Sequence, residues 1–250
     1  NMETLWDKFW QLKGEKMEWN QEDILKSKGM KELSAALLAD LNKNNFEGVK
    51  LLELGSGMGI TSMFFAHNGA KVTLLDVSPE VENLIKKYWK NYGKYAFICA
   101  DLFTYKTKNK YDVVTSFGLC EHFVSKQRQD VLKKHIEFLD DRGIAIISVP
   151  YKYGLFYRLT KLLAEITGFW SFGLEVPFSK KELIDFAKKE NLDCEILMSG
   201  FYSSAYDLFV RKPLKVFRIS VRRRFDETKS LFDSLFGSGL LIILKKDTKR

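Results

Sequence analysis

The run LELGSGMGI, Leu52 to Ile60, sets an acid, Glu53, just ahead of three glycines at alternate positions, Gly55, Gly57 and Gly59. Glycines at that density after an apolar run let the backbone turn left-handed and approach a ligand closely. A pyrophosphate would welcome the glycines but not the carboxylate beside them. The dinucleotide fingerprint G-x-G-x-x-G also fails, because Ile60 stands where the third glycine should fall, and no lysine follows to clamp a phosphate. A ligand carrying positive charge suits Glu53 better.

Two further acids extend the pattern. Asp76 lies 17 residues beyond Gly59 in the run KVTLLDV (71–77), where a carboxylate can accept hydrogen bonds from ribose hydroxyls. Asp101 closes AFICAD (96–101), where a carboxylate can accept a bond from an adenine amino group. A ligand with an adenosine moiety, an ammonium and a sulfonium fits all three acids, and that ligand is S-adenosylmethionine. Beyond a fourth apolar run, YDVVTS (111–116), come Glu121 and His122, a carboxyl and an imidazole able to move a proton.

These residues need a frame that gathers strand ends. From Val49 the chain alternates short apolar runs with helical patterns: VKLLEL (49–54), a helix to Asn68, KVTLLDV, a helix from Ser78 and Pro79 to about Asn91, AFICAD, YDVVTS, a helix over 127–139, then GIAIISV (143–149). Ser78 is expected to cap its helix, and Ser179 with Glu182 to form a capping box for a helix to about Asn191. LDCEILM (192–198) and LLIILKK (240–246) supply two more strands. Near-continuous apolar strands alternating with helices predict a doubly wound, mostly parallel seven-stranded α/β sheet, with the final pair antiparallel. Such sheets bind ligands beyond the carboxyl ends of their strands, beside the first strand, where the glycine motif falls.

The chain resembles the class I S-adenosylmethionine-dependent methyltransferases. LELGSGMG is similar to their glycine motif, VTLLDVS to their ribose-binding segment, ICADLF to their adenine-contacting segment and YDVVTSFGLCEHF to their fourth-strand motif. The likeness runs from about Val49 to Pro150. It implies a Rossmann-like methyltransferase fold, an enzyme using S-adenosyl-L-methionine, and cofactor contacts from Glu53, Gly55, Ser56, Gly57, Gly59, Asp76, Val77, Asp101, Leu102 and Phe117. It implies catalytic roles for Glu121 and His122, which sit near the acceptor in several small-molecule members. In some related enzymes E-x-x-E-H supplies metal ligands; here Gly118 replaces the first acid, and no metal is expected. Whether Glu121 and His122 act as base, as ligands or in packing stays open. His67 and His135 fall within helical patterns and read as structural.

Composition sets the outer bounds. At 250 residues, with 46% hydrophobic and 29% charged residues, the chain has the make-up of a globular protein with a substantial core. No charged-then-apolar signal segment opens it, and no apolar run approaches the roughly 18 residues of a bilayer span. Cys99, Cys120 and Cys194 are widely spaced and form no C-x-x-C, which suits a cytoplasmic protein. Residues 1–48 read as an N-terminal helical lid, with Trp6, Phe9 and Trp10 on one stripe, and 49–250 as the methyltransferase domain.

Two insertions bear on the acceptor. The stretch 151–177 is rich in aromatics, and Tyr151, Tyr153, Phe169 and Trp170 are placed to roof a pocket for a flat or greasy acceptor. The stretch 202–238 includes RKPLKVFRISVRRRF, and residues 201–250 hold 12 Lys/Arg against 5 Asp/Glu within a net charge of +8. Residues 211–224 could grip nucleic acid or an anionic membrane surface, or could support a pocket for an anionic small substrate. The alternation of cations with Leu214, Val216, Phe217, Ile219 and Val221 favours an element with one buried face over a floating arm. The expected acceptor is a small or lipid-like molecule. RNA methylation and non-catalytic cofactor binding by a regulatory or scaffold subunit are the alternatives.

Overall fold

The computed structural model describes residues 2–13, 21–168, 170, 172–200, 233 and 237–246. Within them seven strands form one sheet: β1 (Lys50–Leu54), β2 (Lys71–Asp76), β3 (Tyr95–Cys99), β4 (Tyr111–Phe117), β5 (Leu139–Pro150), β6 (Leu192–Ser199) and β7 (Gly239–Lys246). Their order is β3-β2-β1-β4-β5-β7-β6. The pairs among β1 to β5 are parallel, and β7 runs antiparallel between β5 and β6. The expected Rossmann-like sheet with an antiparallel last strand is present.

Strand alternation divides the core between the two faces. Leu52, Leu54, Val114, Ala145, Ile147 and Ile242 point to one side, against α6 (Ser125–Phe138) and α8 (Lys180–Lys189). Leu51, Val72, Leu74, Val113, Ile144 and Ile146 point to the other, against α2 (Gln21–Lys26), α3 (Lys28–Asp40), α4 (Ile60–His67) and α5 (Glu80–Tyr88). Strands buried on both faces read as continuous apolar runs, which is why they were legible. Two more helices, α1 (Met2–Lys13) and α7 (Leu155–Ile166), lie at the ligand end. His135 is fully buried; its Nδ1 lies 2.8 Å from the Val131 carbonyl and its Nε2 2.8 Å from Ser116 Oγ. A carbonyl can only accept, so Nδ1 carries the proton and the Ser116 hydroxyl donates to Nε2.

Several local expectations are corrected. Ser78 does not cap α5: its hydroxyl donates to Asp7 Oδ1 on α1 (2.5 Å), and the helix begins after Pro79 with no side-chain cap. The helix ends at Tyr88, short of Asn91, because Trp89 turns inward and its Nε1–H donates to the Met58 carbonyl at 2.9 Å. The capping box on α8 is half made. Ser179 Oγ accepts from the Glu182 amide (3.2 Å), but the Glu182 carboxylate turns to Arg128, at 2.6 Å from its Nε. β5 starts at Leu139, earlier than expected, with the ladder against β4 jumping from Tyr111–Leu139 to Val113–Ile144 so that the polar residues between bulge out. Among the described residues, the insertion at 151–177 holds one helix, α7. Phe169 and the basic stretch 211–224 lie outside the described residues.

Candidate active site

β1 sits at the point where the strand order reverses, with β2 on one side and β4 on the other. The turn after it is built by its glycines, Gly55, Gly57 and Gly59, at φ of 57°, 48° and 62°. A side chain at any of them would be strained. A Cβ on Gly55 would run into Leu119 Cδ1, one on Gly57 would meet Trp10 Cζ2 at 2.6 Å, and one on Gly59 would meet the Leu74 methyls at 2.9 Å. The turn is tied sideways to β2. The Ser56 amide donates to the Leu75 carbonyl (3.0 Å), and the Gly57 amide donates to Asp76 Oδ2 (2.7 Å). The other oxygen of Asp76 accepts from the Ser78 amide at 3.0 Å.

Glu53 lies beneath this turn, 3% exposed, and its Oε2 has no hydrogen-bond partner among the described residues. Burial pushes its carboxyl up to about 8, and Ser62 opposes this while Asp76 adds to it. The Ser62 hydroxyl lies near Glu53 without bonding geometry, since Ser62 Oγ also lacks a partner. Burial likewise raises the pKa of Asp76, against the pull of the Ser78 and Gly57 amides.

The remaining ligand-end residues follow the strand ends. Val77 accepts from Cys99 Sγ–H through its carbonyl, at 3.6 Å. Asp101 lies two residues past β3 and is exposed; its Oδ1 accepts from the amides of Phe103 (2.7 Å) and Thr104 (3.3 Å), which shapes the turn that carries buried Leu102. Phe117 ends β4 and is half-buried.

Glu121 and His122 occupy a single 3-10 turn, Cys120–His122, directly after β4. The end of the 151–177 insertion is strapped across them. The Val176 amide donates to the Glu121 carbonyl and His122 Nδ1 meets the Leu174 carbonyl, each at 2.8 Å. That carbonyl can only accept, so Nδ1 holds the proton of a neutral ring and Nε2 carries the lone pair. Trp6 of α1 meets His122 edge-on, ring centroids 5.0 Å apart. Burial lowers the pKa of His122, with the Leu174 and Gly118 carbonyls opposing. Glu121 is 3% exposed with Oε2 unpartnered, and burial raises its carboxyl to about 8, reinforced by Glu175.

Glu175, Tyr157 and Arg128 escaped sequence reasoning. Tyr157 of α7 donates its hydroxyl to Glu175 Oε1 at 2.9 Å, so the insertion brings a second carboxyl and a phenol to Glu121. Arg128 holds the strap. Its guanidinium donates to the carbonyls of Val176 (2.8 Å) and Pro177 (3.0 Å), pairs with Glu182 and lies 3.4 Å over the Phe178 ring. Glu175 lies between Leu174 and Val176 in a stretch rich in aromatics, and only its partner 18 positions away marks it out.

The aromatic trio divides. Trp170 reaches the region through Phe172, which stacks on Phe9 of α1 (5.5 Å), and Lys161 lies 4.2 Å over its ring. Tyr151 and Tyr153 pack on each other at 5.6 Å at the far side, where the Tyr151 amide donates to the Ser238 carbonyl. None of their described contacts reaches Glu121 or His122. Among the described residues no group of three or more His, Cys, Asp or Glu is placed to hold a metal.

A buried carboxylate oxygen without a partner, beneath a turn whose glycines all take left-handed backbone, suits a cationic group presented over β1. Asp76, already oriented by two amides, suits a polyol beside it. The residues present fit an S-adenosyl group.

Comparison with known proteins agrees with this geometry. Residues 51–143 match the family model described as "Methyltransferase domain". The chain is 30% identical over 157 residues to the mitochondrial ubiquinone biosynthesis O-methyltransferase of Schizosaccharomyces pombe, covering 60% of this chain and 57% of that one. It is 30% identical over 125 residues to (S)-coclaurine N-methyltransferase of Papaver somniferum, covering 48% and 34%. The chain thus spans 57% and 34% of the lengths of these relatives. Among solved structures, magnesium protoporphyrin IX methyltransferase from Synechocystis PCC 6803 with bound SAH superposes with a TM-score of 0.62 at 16% identity, over 99% of this chain and 100% of that one. The 1,6-didemethyltoxoflavin-N1-methyltransferase of Burkholderia thailandensis gives 0.53 at 16% identity, over 88% and 79%. At such identities these two structures establish the shared fold.

Proposed function

We propose, from the match of residues 51–143 to the methyltransferase-domain family model, that the protein transfers a methyl group from S-adenosylmethionine to a small-molecule or lipid-like acceptor. The observation that carries this reading is the unpartnered, buried Glu53 Oε2 beneath the glycine turn, in line with Asp76 at the next strand end. When bound, S-adenosylmethionine supplies a methyl carbon already activated by its sulfonium. Glu53 takes the ammonium group, Asp76 the ribose hydroxyls and Asp101 the adenine amino group. Gly55, Ser56, Gly57, Gly59, Val77, Leu102 and Phe117 shape the walls.

The chain's own contribution is mainly alignment and exclusion of water, which supply much of the catalysis when the reacting atoms are held in line. His122 is held as a neutral imidazole whose Nε2 carries the lone pair, so it can take a proton from an acceptor that must lose one. Glu121, largely protonated near neutral pH, can donate a hydrogen bond to the acceptor. α1 acts as the lid: Trp6 covers His122, Trp10 covers Gly57, and Asp7 latches to Ser78. Trp170, which joins α1 through Phe172 and Phe9, closes one side of the acceptor site; Tyr151 and Tyr153 make no described contact with it.

The relatives support a small acceptor, since their names describe O- and N-methyltransferases. A screen of phenols, amines and carboxylates with S-adenosylmethionine labelled at the methyl group tests the proposal. Label transfer to at least one small acceptor is the expected result. Transfer only to RNA or protein, or to nothing while the cofactor binds, contradicts it.

A further inference from the structure

Helix α7 is amphipathic the wrong way round. Its inner side is set by contacts: Tyr157 bonds to Glu175, the Ala164 carbonyl accepts from the Trp170 amide, and Lys161 lies over the Trp170 ring. The opposite side carries Leu155, Leu159, Leu162, Leu163 and Ile166, spaced as one helical stripe and each between 39% and 73% exposed. No residue of this helix is buried. Polar groups face the protein and leucines face water, the reverse of a surface helix built for its own core. A contiguous apolar stripe in water marks a surface that something covers.

Charge identifies the cover. Arg158 borders the stripe, and exposed Lys152 precedes the helix. The start of α7 also adjoins Ser199 and Ser238, the described residues that flank the segment 201–236 in sequence. A Cβ on Gly154 would lie 2.9 Å from Ser238 Cα, and the Ser238 amide donates to the Ser199 carbonyl at 2.9 Å. The chain joining Gly200 to Gly237 contains, over residues 211–224, 7 Lys/Arg and no Asp or Glu. An apolar helical face bordered by the exposed cations Lys152 and Arg158, in a chain that carries a further basic stretch in sequence, is complementary to a sheet of hydrocarbon beneath anionic headgroups.

We propose that α7 docks this protein on an anionic membrane surface, with the Leu155–Ile166 stripe lying in the interface plane. No described helix is long and apolar enough to cross a membrane. The same helix presents Tyr157 to the candidate acceptor site from its inner side, which sets that site against the bilayer. The docking does not depend on methyl transfer and is tested without it.

The full chain is mixed with phosphatidylcholine vesicles, with or without phosphatidylglycerol, and sedimented, alongside a Leu162→Glu/Ile166→Glu double variant. Both side chains are exposed, so the variant keeps the wild-type circular dichroism melt. The wild type co-sediments with the anionic vesicles, less with phosphatidylcholine alone and less at high salt, and the variant binds roughly tenfold more weakly or worse. Failure of the wild type to bind anionic vesicles overturns the proposal, as does equal binding by the variant. A wild-type dimer that the double variant converts to monomer, with no vesicle binding by either, also overturns it by assigning the stripe to a second copy of the chain.

Discussion

The Gly57 amide donates to Asp76 Oδ2 at 2.7 Å, which joins the glycine turn after β1 to the acid that ends β2. Asp76 therefore has two tasks: it shapes the turn and faces the ribose. Asp76→Ala should weaken S-adenosylhomocysteine binding by about 1.5–3 kcal/mol for each charge-assisted bond lost to the ribose. It should also lower stability, because two buried amides lose their acceptor. Calorimetry on the folded variant checks the first effect; unchanged affinity would remove the ribose assignment.

Glu53 makes cofactor affinity pH-dependent. Its carboxyl must ionise to meet an ammonium, and burial holds it at about 8. Affinity should rise with pH up to about that value and then level off, with a proton released on binding. Glu53→Gln should bind more weakly and lose the pH dependence. Titrations in buffers of different ionisation enthalpy measure the released proton, and a pH-independent affinity in the wild type contradicts the assignment.

The same carboxyls set the stability of the cofactor-free protein. Glu53 and Glu121 both have folded pKa values raised from 4.5 to about 8. Each contributes stability that is complete below the ordinary carboxyl range and is lost as pH rises through the folded value. The unfolding temperature of the cofactor-free protein should fall across that window, and Glu53→Gln/Glu121→Gln should flatten the fall. A wild-type melt that rises over the same window would show that these carboxyls are ionised in the folded state.

How far the sequence could be read depended on the range of the contacts involved. The sheet was legible because Leu51 to Leu54, Val72 to Leu75 and Ile144 to Val149 are largely buried on both faces and appear as near-continuous apolar runs, broken by Glu53, Thr73 and Ser148. The places of Glu53 in β1 and of Asp76 at the end of β2 were legible through their distance from the glycines. Local rules failed where a distant partner prevailed: Asp7 took the Ser78 hydroxyl, Arg128 took the Glu182 carboxylate, and Met58 took the Trp89 indole. The Tyr157–Glu175 pair was invisible for the same reason, since neither residue belongs to a motif.

His122→Ala should lower turnover by roughly 10²–10⁴-fold when the acceptor must lose a proton, while leaving cofactor affinity nearly intact. Activity should survive chelators, because Gly118 stands where a metal-binding member would have an acid. Loss of activity on chelation, restored by magnesium or manganese, would assign Glu121 and His122 to a metal instead.

Arg128 links α6, the strap and α8. Arg128→Ala leaves Glu182 and the Val176 and Pro177 carbonyls without their donor, and should cost about 3 kcal/mol of stability. Arg128→Lys should recover only part of this, since an ammonium cannot reproduce the forked contacts. Thermal unfolding measures both; a melting temperature unchanged in Arg128→Ala would show that the strap is held by other contacts.

The central claim is that the turn at Gly55–Gly59, with Glu53 and Asp76, binds an S-adenosyl cofactor. Its most direct test is a calorimetric titration of the wild-type protein with S-adenosylhomocysteine and, separately, with NAD. Saturable binding of S-adenosylhomocysteine, weakened in Asp76→Ala and without comparable affinity for NAD, is the predicted result. Saturable NAD binding with no heat from S-adenosylhomocysteine would contradict the account.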